Sequence, residues 1–216
     1  MSAIKPIIRE VKQAVLKGMA HSKDRLHQVT DNLNVHLDNV GMQIKNIDKY
    51  DGAPTRVDVN VKSFTRNKKH DAVEFDRQYN EQIDTLQQMS MADWKQNRES
   101  YLENGRTSDS LRAQQNARDA AFNDKYDELR DEGLSPEAAE AAAAQWLKGQ
   151  AATHRLDGIA GGNVTDISGV GDSRINSSLG SQWRSRVGDI DSAVSAFIAA
   201  NPGVDLSSVY MNIVFR

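Results

Sequence analysis

The sequence predicts an α+β fold that is predominantly helical, with several helices around a small antiparallel sheet. Apolar and polar residues alternate in two short stretches, near 56–64 and near 208–215, as they do in half-buried strands. Long stretches between them combine helix-capping residues with apolar side chains at helical spacing. We expect the two strands to pair and to tie together the ends of a domain that spans residues 51–216.

Composition limits the classes of function. The chain has 216 residues, a formal net charge of -3 and 38% hydrophobic residues, and its mean hydropathy is -0.63. This length suits one domain, or one domain with an extension. The polar composition suggests that part of the chain is exposed or docked on another molecule. No overall positive charge would attract nucleic acid, so phosphate contacts would depend on local arginines or a metal ion. The absence of cysteine excludes disulfides, thiolate metal sites and cysteine nucleophiles.

Residues 1–50 are predicted to form a helical N-terminal extension that ends at the turn over 51–54. The extension lacks the apolar core of a signal peptide, and no run of the sequence is long enough to be a transmembrane helix. We therefore expect a soluble protein, made in the cytoplasm, without a membrane anchor. Apolar residues form one stripe along the second half of the predicted helix: Val29, Leu33, Leu37, Val40, Ile44 and Ile47. This stripe would either pack on its own domain or dock on a larger assembly.

Four helices are predicted after the first strand, over residues 70–89, 90–103, 108–133 and 135–150. Ser90 with Asp93 has the spacing of a capping box, and Ser135 before Pro136 is a strong helix start. The fourth helix is expected to deliver His154 at or just past its C-terminal end. Two shorter helices, over 175–187 and from Asp189 or Asp191 to 200, precede the last strand.

The segment 153–183 is the expected functional site. It is rich in glycine, which loses more backbone entropy on ordering than any other residue, and long segments of this kind inside compact domains are usually functional or disordered. Apolar residues at intervals predict that it is ordered and packed on a core: Ile159, Ile167, Val170, Ile175, Leu179 and Trp183.

His154 and Asp157 lie at the start of this segment. A neutral imidazole can accept a proton from water, and a carboxylate can orient that imidazole or bind a divalent cation. Asp166 and Asp172 could converge on the same site, or could only make turns and caps. Several other polar residues could contact a substrate, the arginines by binding phosphate: Asn176, Ser177, Ser178, Gln182, Arg155, Arg174, Arg184 and Arg186.

The sequence of this segment resembles a known family. The stretches HRLDGIAGGNVTDI (154–167) and GVGDSRINSSLGSQW (169–183) resemble the polymorphic toxin type 15 family, the HxxD DNase toxins found among type VI secretion effectors. Further matches cover FDRQ (75–78) with Gln82 and Leu86, NR (97–98) with Tyr101, Gly105 and Arg106, and WLKGQAA (146–152). The resemblance spans about residues 57–190, and Tyr79 and Ile83 depart from the family's pattern.

The resemblance implies a metal-dependent DNase that a type VI secretion system delivers into competing bacteria. It would be made in the bacterial cytoplasm, act on DNA in the cytoplasm of the target cell, and be neutralised in the producer by a cognate immunity protein. Family effectors commonly carry a separate N-terminal region for loading or translocation, which implies contacts between residues 1–50 and secretion components or a chaperone. The histidine and aspartate of the family motif correspond to His154 and Asp157.

We hypothesise hydrolysis of phosphodiesters with one divalent ion, Mg²⁺ or another divalent cation. His154 would be the general base, and Asp157 a metal ligand or the group that orients His154, with Asp172 as a second candidate ligand. Substrate-positioning candidates are Arg77, Gln78, Asp172, Arg174, Asn176 and Gln182. Arg77 and Gln78 equally fit a buried ion pair or amide bond. Two alternatives stay open, a toxin that acts on RNA or nucleotides and a non-enzymatic helical adaptor of a secretion assembly.

Overall fold

A computed structural model describes residues 55–216, so the predicted N-terminal extension lies outside the described residues. The described residues form six α-helices and two two-stranded sheets, which confirms the predominantly helical α+β prediction. None of these helices is both long and apolar enough to cross a lipid bilayer. The elements in chain order are β1 (Thr55–Val61), α1 (Ala72–Gln88), α2 (Met91–Asn104), α3 (Ser108–Asp131), α4 (Pro136–Leu147), β2 (Gln150–His154), β3 (Ile167–Asp172), α5 (Ser173–Trp183), α6 (Val187–Ala200) and β4 (Val209–Phe215).

The first and last strands pair as predicted, but the predicted antiparallel direction is wrong. β1 and β4 run parallel, with Val57 opposite Met211 and Val59 opposite Ile213. Alternation of apolar and polar residues determines which face of a strand is buried, but it carries no information on direction. A tight turn would impose antiparallel pairing, whereas here the whole helical part of the domain connects the two strands.

Most predicted helix starts are confirmed. The hydroxyl of Ser90 accepts a hydrogen bond from the backbone of Asp93 at 3.1 Å, and Ser135 caps α4 ahead of Pro136. The last helix differs, because α6 begins at Val187 without a side-chain cap. Asp189, which was predicted as a cap, lies instead in the first turn of α6.

The main core lies between the parallel sheet and helices α1, α2 and α6, and the glycine-rich segment contributes to it. Leu156 and Ala160 are buried in this core beside Trp94 and Trp183. The segment is therefore ordered and packed, as its apolar residues predict. The core also contains Val59, Val61, Ile83, Leu86, Met91, Ile190, Val194, Val209, Met211 and Ile213.

A second sheet was not predicted from the sequence. β2 and β3 form an antiparallel hairpin that ends at His154, opposite Ile167. The expected position of His154 near the end of a helix is therefore wrong, because α4 stops at Leu147 and the chain continues as β2. Arg118 of α3 holds this junction by donating to the carbonyl of Gln150 at 2.5 Å.

Candidate functional site

The hairpin and a short 3₁₀ helix position the two predicted catalytic residues. His154 is the last residue of β2, and the register of the hairpin shifts between Thr153 and His154. Asp157 caps the 3₁₀ helix Gly158–Ala160, and its Oδ1 accepts a hydrogen bond from the backbone of Ile159 at 3.0 Å. His154 and Asp157 therefore flank one tight turn between a strand and a 3₁₀ helix.

The ring of His154 is oriented by a backbone carbonyl. Its Nε2 lies 3.1 Å from the carbonyl oxygen of Val164, and because a carbonyl can only accept, Nε2 carries the hydrogen of the neutral ring. Nδ1 is then the basic nitrogen. Burial lowers the pKa of His154, and this effect exceeds the opposing influence of the Asp157 carboxylate. The imidazole is thus neutral near neutral pH, as a general base must be.

Four glycines allow the chain to approach this turn closely. A side chain on Gly158 would come within 2.8 Å of the ring of Tyr101, and one on Gly180 within 2.8 Å of Oδ2 of Asp157. Side chains on Gly161 and Gly162 would overlap the indole of Trp94 and the carbonyl of Leu156. Gly161 also has a φ of 93°, in the left-handed region that favours glycine.

Helix α2 anchors the residues that follow Asp157. Trp94 Nε1 donates to the carbonyl of Ala160 at 2.8 Å, and Arg98 Nη1 donates to the carbonyl of Ile159 at 2.9 Å. The rest of the Arg98 guanidinium binds both carboxylate oxygens of Asp191, at 3.0 and 2.8 Å. The turn thus has little freedom to rearrange, which is a requirement of a preorganised site.

Gln82 of α1 connects the site to the core. Its buried Oε1 accepts from Trp183 Nε1 at 2.6 Å and lies 3.4 Å from the backbone nitrogen of Asp157. An indole N–H needs a partner when it is buried. The amide of Gln82 therefore couples the position of Asp157 to the packing of α5.

Asp172 and Arg174 lie at the other end of the β2–β3 hairpin from His154, because Asp172 pairs with Gln150. Asp172 caps α5, and the Arg174 guanidinium, 2.7 Å away, lowers the pKa of its carboxyl to about 2. The structure does not bring this pair together with His154 and Asp157.

Arg77 and Gln78 of α1 lie near Asp172, where β3 meets α5. Arg77 forms an ion pair with Glu74 at 2.7 Å. Gln78 is buried, donates to Glu74 at 2.7 Å and lies 3.3 Å from the carbonyl of Asp172. Gln78 thus forms the predicted buried amide bond, whereas the Arg77 ion pair is exposed and not buried. Both lie beside β3 and the start of α5.

Gln182 and Arg186 hold the loop that follows β1. Gln182 accepts from the backbone nitrogen of Thr65 at 2.8 Å and donates to its carbonyl at 3.0 Å. Arg186 is buried, donates to the carbonyl of Lys62 at 3.0 Å and lies 4.4 Å from the ring centroid of Phe64. Both side chains are thus occupied by contacts within the fold.

Asn176 and Ser177 both lie one turn before Gly180, on the same face of α5. Gly180 faces Asp157. Asn176 is half-buried and Ser177 is exposed. Arg155 is engaged by Asp166 at 3.2 Å and by Glu81 at 3.6 Å. The carboxylate of Asp166 is thus engaged by Arg155.

The exposed side chains also include Ser177 and Arg184. The predicted site residues do not include Arg106, whose positive charge is one of the lesser influences on the pKa of His154, after burial. Its only sequence signal is the match to the family's NRxxYxxxGR element.

Few side chains that could bind a metal ion lie beside His154. Within residues 55–216, no group of three or more histidine or acidic side chains is arranged to hold a metal ion. Asp157 with His154 therefore does not fit a closed zinc site. One carboxylate fits Mg²⁺, which commonly binds one or two carboxylates and takes its other ligands from water and substrate phosphates.

Comparison with known proteins identifies the family. No curated protein matches the chain. The family model described as Novel toxin 15 matches residues 69–209. The match runs from just before α1 to the first residue of β4, so it includes the turn that carries His154 and Asp157 and the helices that anchor it. Because this is well over half of the sequence, the chain belongs to the Novel toxin 15 family of toxins.

Proposed function

We propose that the chain is an antibacterial toxin that hydrolyses DNA phosphodiester bonds in a reaction that depends on a divalent metal ion. Membership of a toxin family supports the toxin role. The observation that supports hydrolysis is a neutral imidazole, held by the carbonyl of Val164, next to the carboxylate of Asp157. A type VI secretion system would deliver the toxin to the cytoplasm of a competing cell.

In the proposed mechanism, His154 Nδ1 accepts a proton from a water molecule as the water oxygen bonds to the phosphorus. The P–O bond to the leaving nucleotide breaks, and the leaving oxygen takes a proton from solvent. The ring then becomes a cation, which the carboxylate of Asp157 stabilises, since that carboxylate already favours the protonated ring. Val164 keeps its hydrogen bond to Nε2 throughout. Asn176 would contact the substrate from α5.

Asp157 would be the protein ligand of Mg²⁺. The bound ion would supply positive charge to offset the negative charge that grows on the phosphate oxygens. Asp157 suits this role better than that of an orienting group, because Val164 already fixes the ring of His154. Asp172 is left out of the proposed ligand set, because it caps α5 at the far end of the hairpin.

Delivery and protection follow from the toxin role and are part of the same proposal. A producer cell needs an immunity protein, and a tight inhibitor would cover the turn that carries His154. Residues 1–50 would contact secretion components or a chaperone.

A degradation assay tests the proposal. The purified 216-residue chain is incubated with plasmid DNA and, separately, with RNA, each with Mg²⁺ or with EDTA. We expect loss of plasmid DNA with Mg²⁺ and none with EDTA. Degradation of RNA with intact DNA would change the substrate, and intact nucleic acid in every reaction of a folded protein would contradict the proposed hydrolysis.

A further inference from the structure

We propose that Arg106 binds the scissile phosphate beside His154 and Asp157. This inference rests on the proposed function and deepens it, because it adds a substrate-binding residue to the same site. The arginines first expected to bind phosphate were Arg155, Arg174, Arg184 and Arg186, and three of these form contacts within the fold.

The turn between α2 and α3 brings Arg106 to the site. Gly105 has a φ of 61° and donates its backbone hydrogen to the carbonyl of Tyr101 at 2.8 Å, which ends α2 and redirects the chain. Tyr101, on the last turn of that helix, packs against Gly158, the residue after Asp157. The C-terminal end of α2 and the residue that follows Gly105 therefore lie next to the turn that carries the proposed catalytic residues.

The electrostatics agree with this placement. Burial lowers the pKa of His154 most, and the positive charge of Arg106 lowers it further, as expected for a cation on the neighbouring turn. Arg106 is exposed and forms no ion pair with any residue between 55 and 216. Its hydrogen-bond donors are therefore available to a ligand.

A phosphodiester is a ligand that suits this position. A guanidinium binds two phosphate oxygens through parallel hydrogen bonds, and it stabilises the negative charge that develops as the water attacks. Burial does most to keep His154 neutral in the free enzyme, and the charge of Arg106 would add to that effect. One side chain would thus bind the substrate and tune the base.

Two substitutions at Arg106 and one control test the inference in the full chain. Arg106→Gln removes the charge, and Arg106→Lys keeps the charge but loses the planar pair of donors. Arg112→Gln is the control, because Arg112 is an exposed arginine of α3 that pairs with the exposed Asp109. The measurements are kcat/KM for DNA and its dependence on pH.

We expect Arg106→Gln to lower kcat/KM on the order of 100-fold, Arg106→Lys to fall in between, and Arg112→Gln to resemble the wild type. The acid limb of the pH profile should move to higher pH in Arg106→Gln, because the pKa of His154 rises when the nearby cation is removed. A role confined to folding would not move that limb.

An active wild type with an unchanged Arg106→Gln variant would overturn the role of Arg106 and leave the proposed function intact. A wild type that degrades no nucleic acid would contradict the proposed function itself, and the role of Arg106 with it.

Discussion

The carboxylate of Asp157 lies against the backbone of α5 at Gly180, where a Cβ would come 2.8 Å from Oδ2. The same carboxylate caps the 3₁₀ helix through Oδ1. Oδ1 therefore holds the 3₁₀ helix. Oδ2 faces α5 at Gly180, where even a methyl group would displace it. The position of Asp157 therefore depends on the lack of a side chain at Gly180 as well as on the hydrogen bond to Ile159.

Substitution of Gly180 should separate activity from stability. Gly180→Ala displaces the Asp157 carboxylate, so we expect activity to fall roughly 10-fold to 100-fold. Alanine favours a helix over glycine by up to about 1 kcal/mol, so the free energy of unfolding should stay the same or rise. Gly188→Ala, in α6 with open space around the glycine, is the control for activity. Equal activities of the two variants would contradict the placement of Asp157.

The bond between Gln82 and Trp183 should show strong coupling. Gln82→Leu leaves the buried N–H of Trp183 without a partner, which costs about 1–3 kcal/mol. In the double variant Gln82→Leu with Trp183→Phe, the unpaired indole donor is removed as well, so the loss should be smaller than the sum of the two single losses. Urea unfolding of the four proteins measures this coupling. If the losses in the free energy of unfolding are additive, Gln82 and Trp183 are not coupled, which would contradict the prediction.

Neutralising Asp157 should affect the reaction far more than the fold. Asn is also a good capping residue, so Asp157→Asn should keep the 3₁₀ cap and most of the stability, while activity with Mg²⁺ falls on the order of 100-fold. Asp205→Asn is a matched control, because Asp205 caps the 3₁₀ helix Leu206–Ser208. Equal losses of activity in the two variants would contradict a role of Asp157 in the reaction.

The lowered pKa of His154 predicts how stability depends on pH. Burial lowers the pKa of the folded state below the ordinary value of 6.5, so the unfolded chain binds a proton more readily. The contribution of His154 to stability is complete above that value and is lost as the pH falls from it towards the folded pKa. The free energy of unfolding should therefore fall more between about pH 7 and about pH 5 in the wild type than in His154→Gln. Parallel curves for the two proteins would be inconsistent with a buried, neutral His154.

Local chemistry made much of the helical fold predictable. Ser90 and Ser135 cap helices because their hydroxyls satisfy backbone donors wherever the domain places them. Direction and pairing of strands were harder to predict. The β1–β4 alternation is the same for either direction, and β3 contains Gly169 and Gly171, which weaken a strand pattern.

The site was predictable as a sequence segment and less so as a geometry. His154 and Asp157 are close in sequence and flank one turn. Asp172 is near them in sequence, but an unpredicted hairpin places it at the opposite end. Arg106 is distant in sequence, and the turn at Gly105 is what would bring it to the site.

The central claim is that His154 is the general base of a nuclease, and degradation of plasmid DNA by His154→Ala tests it most directly. His70→Ala is the control, because His70 lies just before α1, whose first turn contacts Asp172 at the far end of the hairpin. Circular dichroism and urea unfolding would check that each variant is folded. We predict that folded His154→Ala loses Mg²⁺-dependent degradation while His70→Ala keeps it. A folded His154→Ala variant that degrades plasmid DNA at the wild-type rate would contradict the claim.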